Sequence, residues 1–133
     1  MPHRDPIRIV VADDDQPFAE SLATLLEDDG RFEVVGVAAN GEQAVQLAIW
    51  HEPDVVVMDV KMPIIDGIEA TRLLRRSRPR ACVLMISGDR AERSEEARLA
   101  GAADLVHKRT FGPEMMDAIA EVAAHSRALR RAR

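Results

Sequence analysis

The sequence predicts an α/β fold in which a parallel sheet is covered by helices on both faces. Three observations lead there. Short apolar runs recur along the 133 residues: IRIVVA (7–12), FEVVGVAA (32–39), DVVVMD (54–59), ACVLMIS (81–87) and ADLVHK (103–108). Amphipathic segments lie between them, and helix start signals stand at the junctions. Short β-branched or aliphatic runs bounded by turn residues read as strands buried on both faces. Five strands alternating with five helices imply parallel pairing.

Taken in order, the first strand stops at Asp13, Asp14 and Asp15. Asp15 can cap the first helix, with Pro17 in its first turn. Phe18, Leu22, Leu25 and Leu26 then recur at helical spacing. After the second strand, Asn40-Gly41 marks a turn, and Val45, Ala48 and Ile49 carry the second helix. Trp50 closes that helix beside His51, where a partly buried packing role is expected. Cys82 lies in the fourth strand and reads as an inert hydrophobe. Gly101 marks the turn before the fifth strand, and Gly112-Pro113 opens the last helix through Met115, Ile119 and Val122. The chain ends in HSRALRRAR, with Arg127, Arg130, Arg131 and Arg133. These read first as the solvated end of a long helix, where cations favour the dipole. The competing reading is a linker to an output domain, or a contact for an acidic partner.

Composition sets the bounds. The chain has the length of a single domain able to bury a core. Net charge is −5, with 47% apolar and 31% charged residues, which argues against non-specific binding to nucleic acid or acidic membranes. A single cysteine permits no internal disulfide and fits a reducing compartment. The opening MPHRDP is no apolar signal segment, and no run approaches the length of a membrane span. A cytoplasmic location without membrane contact is therefore expected. The four histidines show no metal-ligand spacing, and the six methionines read as core filler.

In such a sheet, ligands bind at the carboxyl ends of the strands. There the sequence places Asp13 and Asp14 after strand one, Asp59 at the end of strand three, Ser87 at strand four and Lys108 at strand five. Each alone has a plain structural explanation, as a cap, a turn residue or a solvated cation. Their convergence on one edge points to chemistry. Like charges about 4 Å apart repel by roughly 1 kcal/mol in water and about 4 kcal/mol in a protein-like medium. A magnesium ion, held by one or two carboxylates plus phosphate oxygens, would offset that repulsion. Asp14 and Asp59 would be direct ligands, with Asp13 acting through a water. An aspartyl carboxylate can also attack a phosphoryl group, which gives Asp59 a second role. The metal, Lys108 and Ser87 would then neutralise the phosphoryl oxygens.

The segments VVADD (10–14), VVVMDVKMPIIDG (55–67), MISG (85–88) and LVHK (105–108) resemble the receiver domain of bacterial two-component response regulators. The stretch ADDDQP is most similar to the nitrate-regulator subfamily. The resemblance implies a flavodoxin-like sheet of order 2-1-3-4-5 flanked by five helices, in one receiver domain over 1–133. Its core would span about 6–125, and 126–133 would form the basic helix end. It also implies that Asp59 accepts phosphate from a histidine kinase, a phosphotransfer protein or a small donor, with Mg2+ or Mn2+ as cofactor. Asp13 and Asp14 become the acid pair, the Lys61 backbone carbonyl completes the metal shell, Ser87 is the switch hydroxyl and Lys108 pairs with phosphate. The phosphorylated form would alter the face of fourth helix, fifth strand and fifth helix, allowing a homodimer there. Such a chain is a signalling phosphoacceptor rather than an enzyme, and would meet DNA only through an output domain absent from this chain.

Three features depart from the family pattern. Leu105 stands three residues before the lysine, where the family often has Tyr or Phe, so no ring can flip toward Ser87. Arg109 follows the lysine where many members have a cis proline, and a non-proline cis bond costs about 2.5–4 kcal/mol. Lys61 and Asp89, two positions after Asp59 and Ser87, can pair across the site entrance or remain solvated. Leu105 and Arg109 motivate an alternative: a receiver-like interaction module that is not regulated by phosphate. A haloacid-type phosphatase would want an aspartate where Lys61 sits. A flavin binder would find its phosphate repelled by Asp13 to Asp15.

Overall fold

The computed structural model describes residues 5–77, 81–88 and 93–131. Five strands, β1 (Ile7–Ala12), β2 (Phe32–Ala38), β3 (Val55–Asp59), β4 (Cys82–Ser87) and β5 (Asp104–His107), form one sheet. Their order is β2-β1-β3-β4-β5, and each neighbouring pair runs parallel. Helices α1 (Gln16–Asp29), α2 (Gly41–His51), α3 (Gly67–Ser77), α4 (Ser94–Ala100) and α5 (Pro113–Arg131) make the crossovers. The five-stranded parallel sheet of order 2-1-3-4-5 with five helices expected from sequence is the one found.

Strand periodicity divides the core between the two faces. Ile9 and Val11 of β1, Val55 and Val57 of β3, and Leu84 and Ile86 of β4 point toward α1 and α5, where they meet Leu22, Leu26, Met115 and Ile119. Val10 and Ala12, Val56 and Met58, and Val83 and Met85 point the other way, against α2, α3 and α4. Burying one such side chain stabilises the fold by about 1.5–3 kcal/mol. The methionines of the described residues are all buried, as is Cys82. Burial on both faces holds for β1, β3 and β4. It fails for β2 and β5, whose residues are largely half-exposed, because an edge strand has a neighbour on one side only.

The caps form as the residues dictate. Asp15 precedes α1 and accepts the Phe18 N–H at 3.2 Å. Asn40 accepts the Gln43 N–H at 2.8 Å and starts α2.

Three sequence expectations need correction. Trp50 is 81% exposed, because the face of α2 that is buried carries Gly41, Ala44 and Ala48 and Trp50 lies off it. Lys108 does not end β5; it opens a 3-10 turn (Lys108–Thr110) that redirects the chain toward α5. The basic helix end is also not simply solvated. Arg127 and Arg130 reach back to Asp54, which is 2% exposed, at 3.2 and 3.0 Å. Their guanidinium groups also donate to the carbonyls of Pro6 and Pro53. Asp89, Arg133 and His3 lie outside the described residues.

Candidate functional site

The order of strands reverses direction between β1 and β3, and ligands bind at such a switch point. Asp13 follows β1 and Asp59 ends β3, so the topology sets these carboxyls side by side. Ser87 ends β4 and faces His107 in register, one residue before Lys108. Every residue singled out at this edge from the sequence is therefore brought to it.

Asp13 is fully buried. Its N–H donates to the Ala38 carbonyl at 3.0 Å, and its Oδ1 accepts the Asp15 N–H at 2.9 Å. Its Oδ2 lies 2.7 Å from the Lys108 Nζ, an ion pair by distance. Yet the ammonium is off the line of a hydrogen bond, and Oδ2 has no aligned donor. Asp14 is exposed at the rim. Asp59, 7% exposed, lies 3.6 Å from Lys108 Nζ. Among the described residues, Asp13, Asp14 and Asp59 form the one cluster of metal-ligating side chains, with an oxygen from each within 4.8 Å of the others.

Burial pushes the Asp59 carboxyl up to about 7, and repulsion from Asp13 adds to this against the pull of Lys108. Burial opposes the charge of Lys108, but Asp13, Asp59 and Asp15 outweigh it and hold the ammonium above its ordinary value. The site thus keeps a permanent cation beside a carboxyl that is poorly served.

Its walls are local devices. Gly67 starts α3 and donates to the Val60 carbonyl at 2.8 Å; a Cβ there would come within 2.2 Å of the Asp59 carbonyl oxygen. Only glycine allows that approach. Asp66 caps α3 through the Glu69 N–H at 2.8 Å and binds Arg93 at 3.3 Å, tying the loop after β3 to the start of α4. Ile64, in the same loop, takes φ +74, a left-handed conformation unusual for a β-branched residue. All described peptide bonds are trans, including the one joining Lys108 to Arg109. Leu105 is half-buried against the cluster that includes Ala97 and Ala100 of α4. The side chain of Lys61 is exposed.

Sequence reasoning missed one neighbour. Lys108 Nζ lies 4.6 Å from the ring centroid of Phe18, which in turn packs 5.6 Å from Phe111 at a 59° tilt. Helical spacing marked Phe18 only as core.

The model of the response regulator receiver domain matches residues 9–120. The chain belongs to the response regulator receiver family. Receiver domains are signalling modules, and this one is similar to the signal receiver domain of NarL from Mycobacterium tuberculosis. That structure shares 32% identity and a TM-score of 0.87, over 91% of this chain and 98% of that one. The receiver similarity extends to TrrA from Thermotoga maritima, solved in complex with Mg(2+)-BeF, at 28% identity and TM-score 0.78, over 86% of this chain and 97% of that chain. In sequence, the protein-glutamate methylesterase/protein-glutamine glutaminase of Alkalilimnicola ehrlichii is 43% identical over 106 residues, 77% of this chain and 27% of that protein. The receiver chain matches only 27% to 47% of the length of the first curated relatives. No helix among the described residues is long and apolar enough to cross a membrane.

Proposed function

We propose that this receiver domain accepts a phosphoryl group on Asp59, with Mg2+ or Mn2+ as cofactor, and that the modification changes the face of α4, β5 and α5. The observation that carries the reading is the electrostatic imbalance at Asp59: a buried carboxyl beside two others, with one ammonium at 3.6 Å and a pKa near 7. The donor set fits a hard divalent cation. It is all oxygen, and it includes a buried Asp13 oxygen without an aligned donor. Asp13, Asp14, Asp59 and the Lys61 backbone carbonyl would hold the ion, which would supply counter-charge to the carboxylates and to the phosphoryl oxygens. The magnesium and beryllofluoride bound by TrrA support the assignment.

The transfer itself is a displacement. An Asp59 carboxylate oxygen forms the new P–O bond as the P–N bond of a phosphohistidine, on a histidine kinase or phosphotransfer protein, breaks. The departing imidazole nitrogen takes up a proton. Lys108 turns from Asp13 toward the phosphoryl oxygens, and the Ser87 hydroxyl donates to them. Because Leu105 offers no ring to rotate, the change travels through the ends of β4 and β5 themselves. A homodimer through the α4, β5 and α5 face is the partner arrangement this reading supports.

Acetyl phosphate with Mg2+ is the direct test. Wild type should gain one phosphoryl group by intact-mass measurement, and Asp59→Asn should gain none. Equal modification of the two proteins would refute the assignment.

A further inference from the structure

We infer that Phe18 is a positioning residue for Lys108: its ring face, braced by Phe111, aims the ammonium at the Asp59 phosphoryl position. This rests on the phosphoacceptor reading above. Lysine carries a compact charge on a flexible four-carbon stem, so a useful direction must be imposed from outside. Asp13 at 2.7 Å and Asp59 at 3.6 Å take one side of the ammonium. The Phe18 ring, 4.6 Å from Nζ to centroid, covers another, within the reach of a cation–π attraction. A ring face attracts the charge without offering a competing hydrogen-bond acceptor. The N–H groups stay available to carboxylate and phosphoryl oxygens.

Both rings are fixed to the groups they serve by local hydrogen bonds. The Phe18 N–H donates to the Asp15 carboxylate at 3.2 Å, and the Asp15 N–H donates to the Asp13 carboxylate at 2.9 Å. On the other side, the Phe111 N–H donates to the Lys108 carbonyl at 3.1 Å. The Phe18–Phe111 contact therefore joins the acid end of β1 to the lysine after β5. When Lys108 leaves Asp13 for a phosphoryl oxygen, it can swing over the ring without full rehydration.

The test replaces Phe18 with phenylalanines carrying progressively more ring fluorines, which weaken the negative ring face with little change of volume. Beryllofluoride affinity in Mg2+ should fall stepwise, by about three- to tenfold across the series. Phe18→Tyr should bind like wild type, and Phe18→Leu should bind more weakly. Affinity that stays flat across the fluorinated series overturns the inference, even if Phe18→Leu binds weakly, because shape alone would then explain the position. If the unsubstituted protein binds no better than Asp59→Asn, the phosphoacceptor reading fails instead. The ring contact is then judged by NMR in the free protein. Upfield Lys108 Hε resonances that are lost in Phe18→Leu support the placement, and unshifted ones overturn it.

Discussion

Asp54 precedes β3 and Asp59 ends it, and the two buried carboxyls meet opposite surroundings. Asp54 accepts the Arg8 N–H at 2.9 Å and pairs with Arg127 at 3.2 Å and Arg130 at 3.0 Å. Asp59 shares its pocket with Asp13 and Asp14 and has Lys108 at 3.6 Å. One strand thus carries a satisfied carboxyl at its amino end and a poorly served one at its carboxyl end. A buried charge with its partners in place anchors structure. A buried charge short of them is poised to take a cation or react. The difference explains why the basic helix end docks on the body rather than reaching into solvent. Asp54 is the counter-charge that α5 was missing.

The largest test of this contrast is removal of the poorly served charge. The fold favours neutral Asp59, whose pKa rises from an ordinary 3.8 to about 7. Below about pH 4 the carboxyl is protonated in folded and unfolded chains alike, and Asp59→Asn should change little. As pH rises from about 4 to 7 the unfolded chain ionises while the fold holds the carboxyl neutral, so wild type loses stability relative to the variant. The loss levels off above about 7, once both states are ionised. Asp59→Asn should therefore be more stable without metal at pH 8, by up to about 4 kcal/mol in urea unfolding. A variant no more stable than wild type at pH 8 would show that the pocket carries no such penalty.

At the other end of the strand the sign reverses. Asp54→Ala removes the carboxylate shared by two part-exposed guanidinium groups and the acceptor of the Arg8 N–H. It should cost about 2 kcal/mol in the same assay, with exchange of the last α5 amides speeding up. A smaller effect is expected from Ile64→Gly in the loop beside Asp59. A non-glycine residue at positive φ costs roughly 1–2 kcal/mol, and Ile64, 69% exposed, has little burial to lose. The change should raise the unfolding free energy by about 1 kcal/mol. A loss would mean that the isoleucine contacts outweigh the backbone strain.

Legibility followed the range of the interaction. Runs such as IRIVVA and CVLMIS announced their strands because burial on both faces demands unbroken apolar sequence, and the observed β1 begins and ends where its run does. The acid edge was legible because topology, once granted, fixes which residues follow the strand ends. Arg127 and Arg130 were not: their partner Asp54 is more than seventy positions away, and charge along a helix does not reveal which charges return to the body. The stacking of Lys108 on Phe18 was hidden for the same reason, and Ile64 because a dihedral angle has no signature in a β-branched residue. Trp50 misled because a large aromatic usually finds cover, whereas it stands off the buried face of α2 that Ala44 and Ala48 carry.

The central claim, that the carboxyls at the ends of β1 and β3 are crowded to hold a divalent cation, is tested most directly by titrating Mg2+ into wild type and Asp59→Asn near pH 7.5 while following thermal unfolding. The account predicts that Mg2+ raises the wild-type midpoint and narrows its gap to the variant. A wild-type midpoint that does not respond to Mg2+ would contradict it.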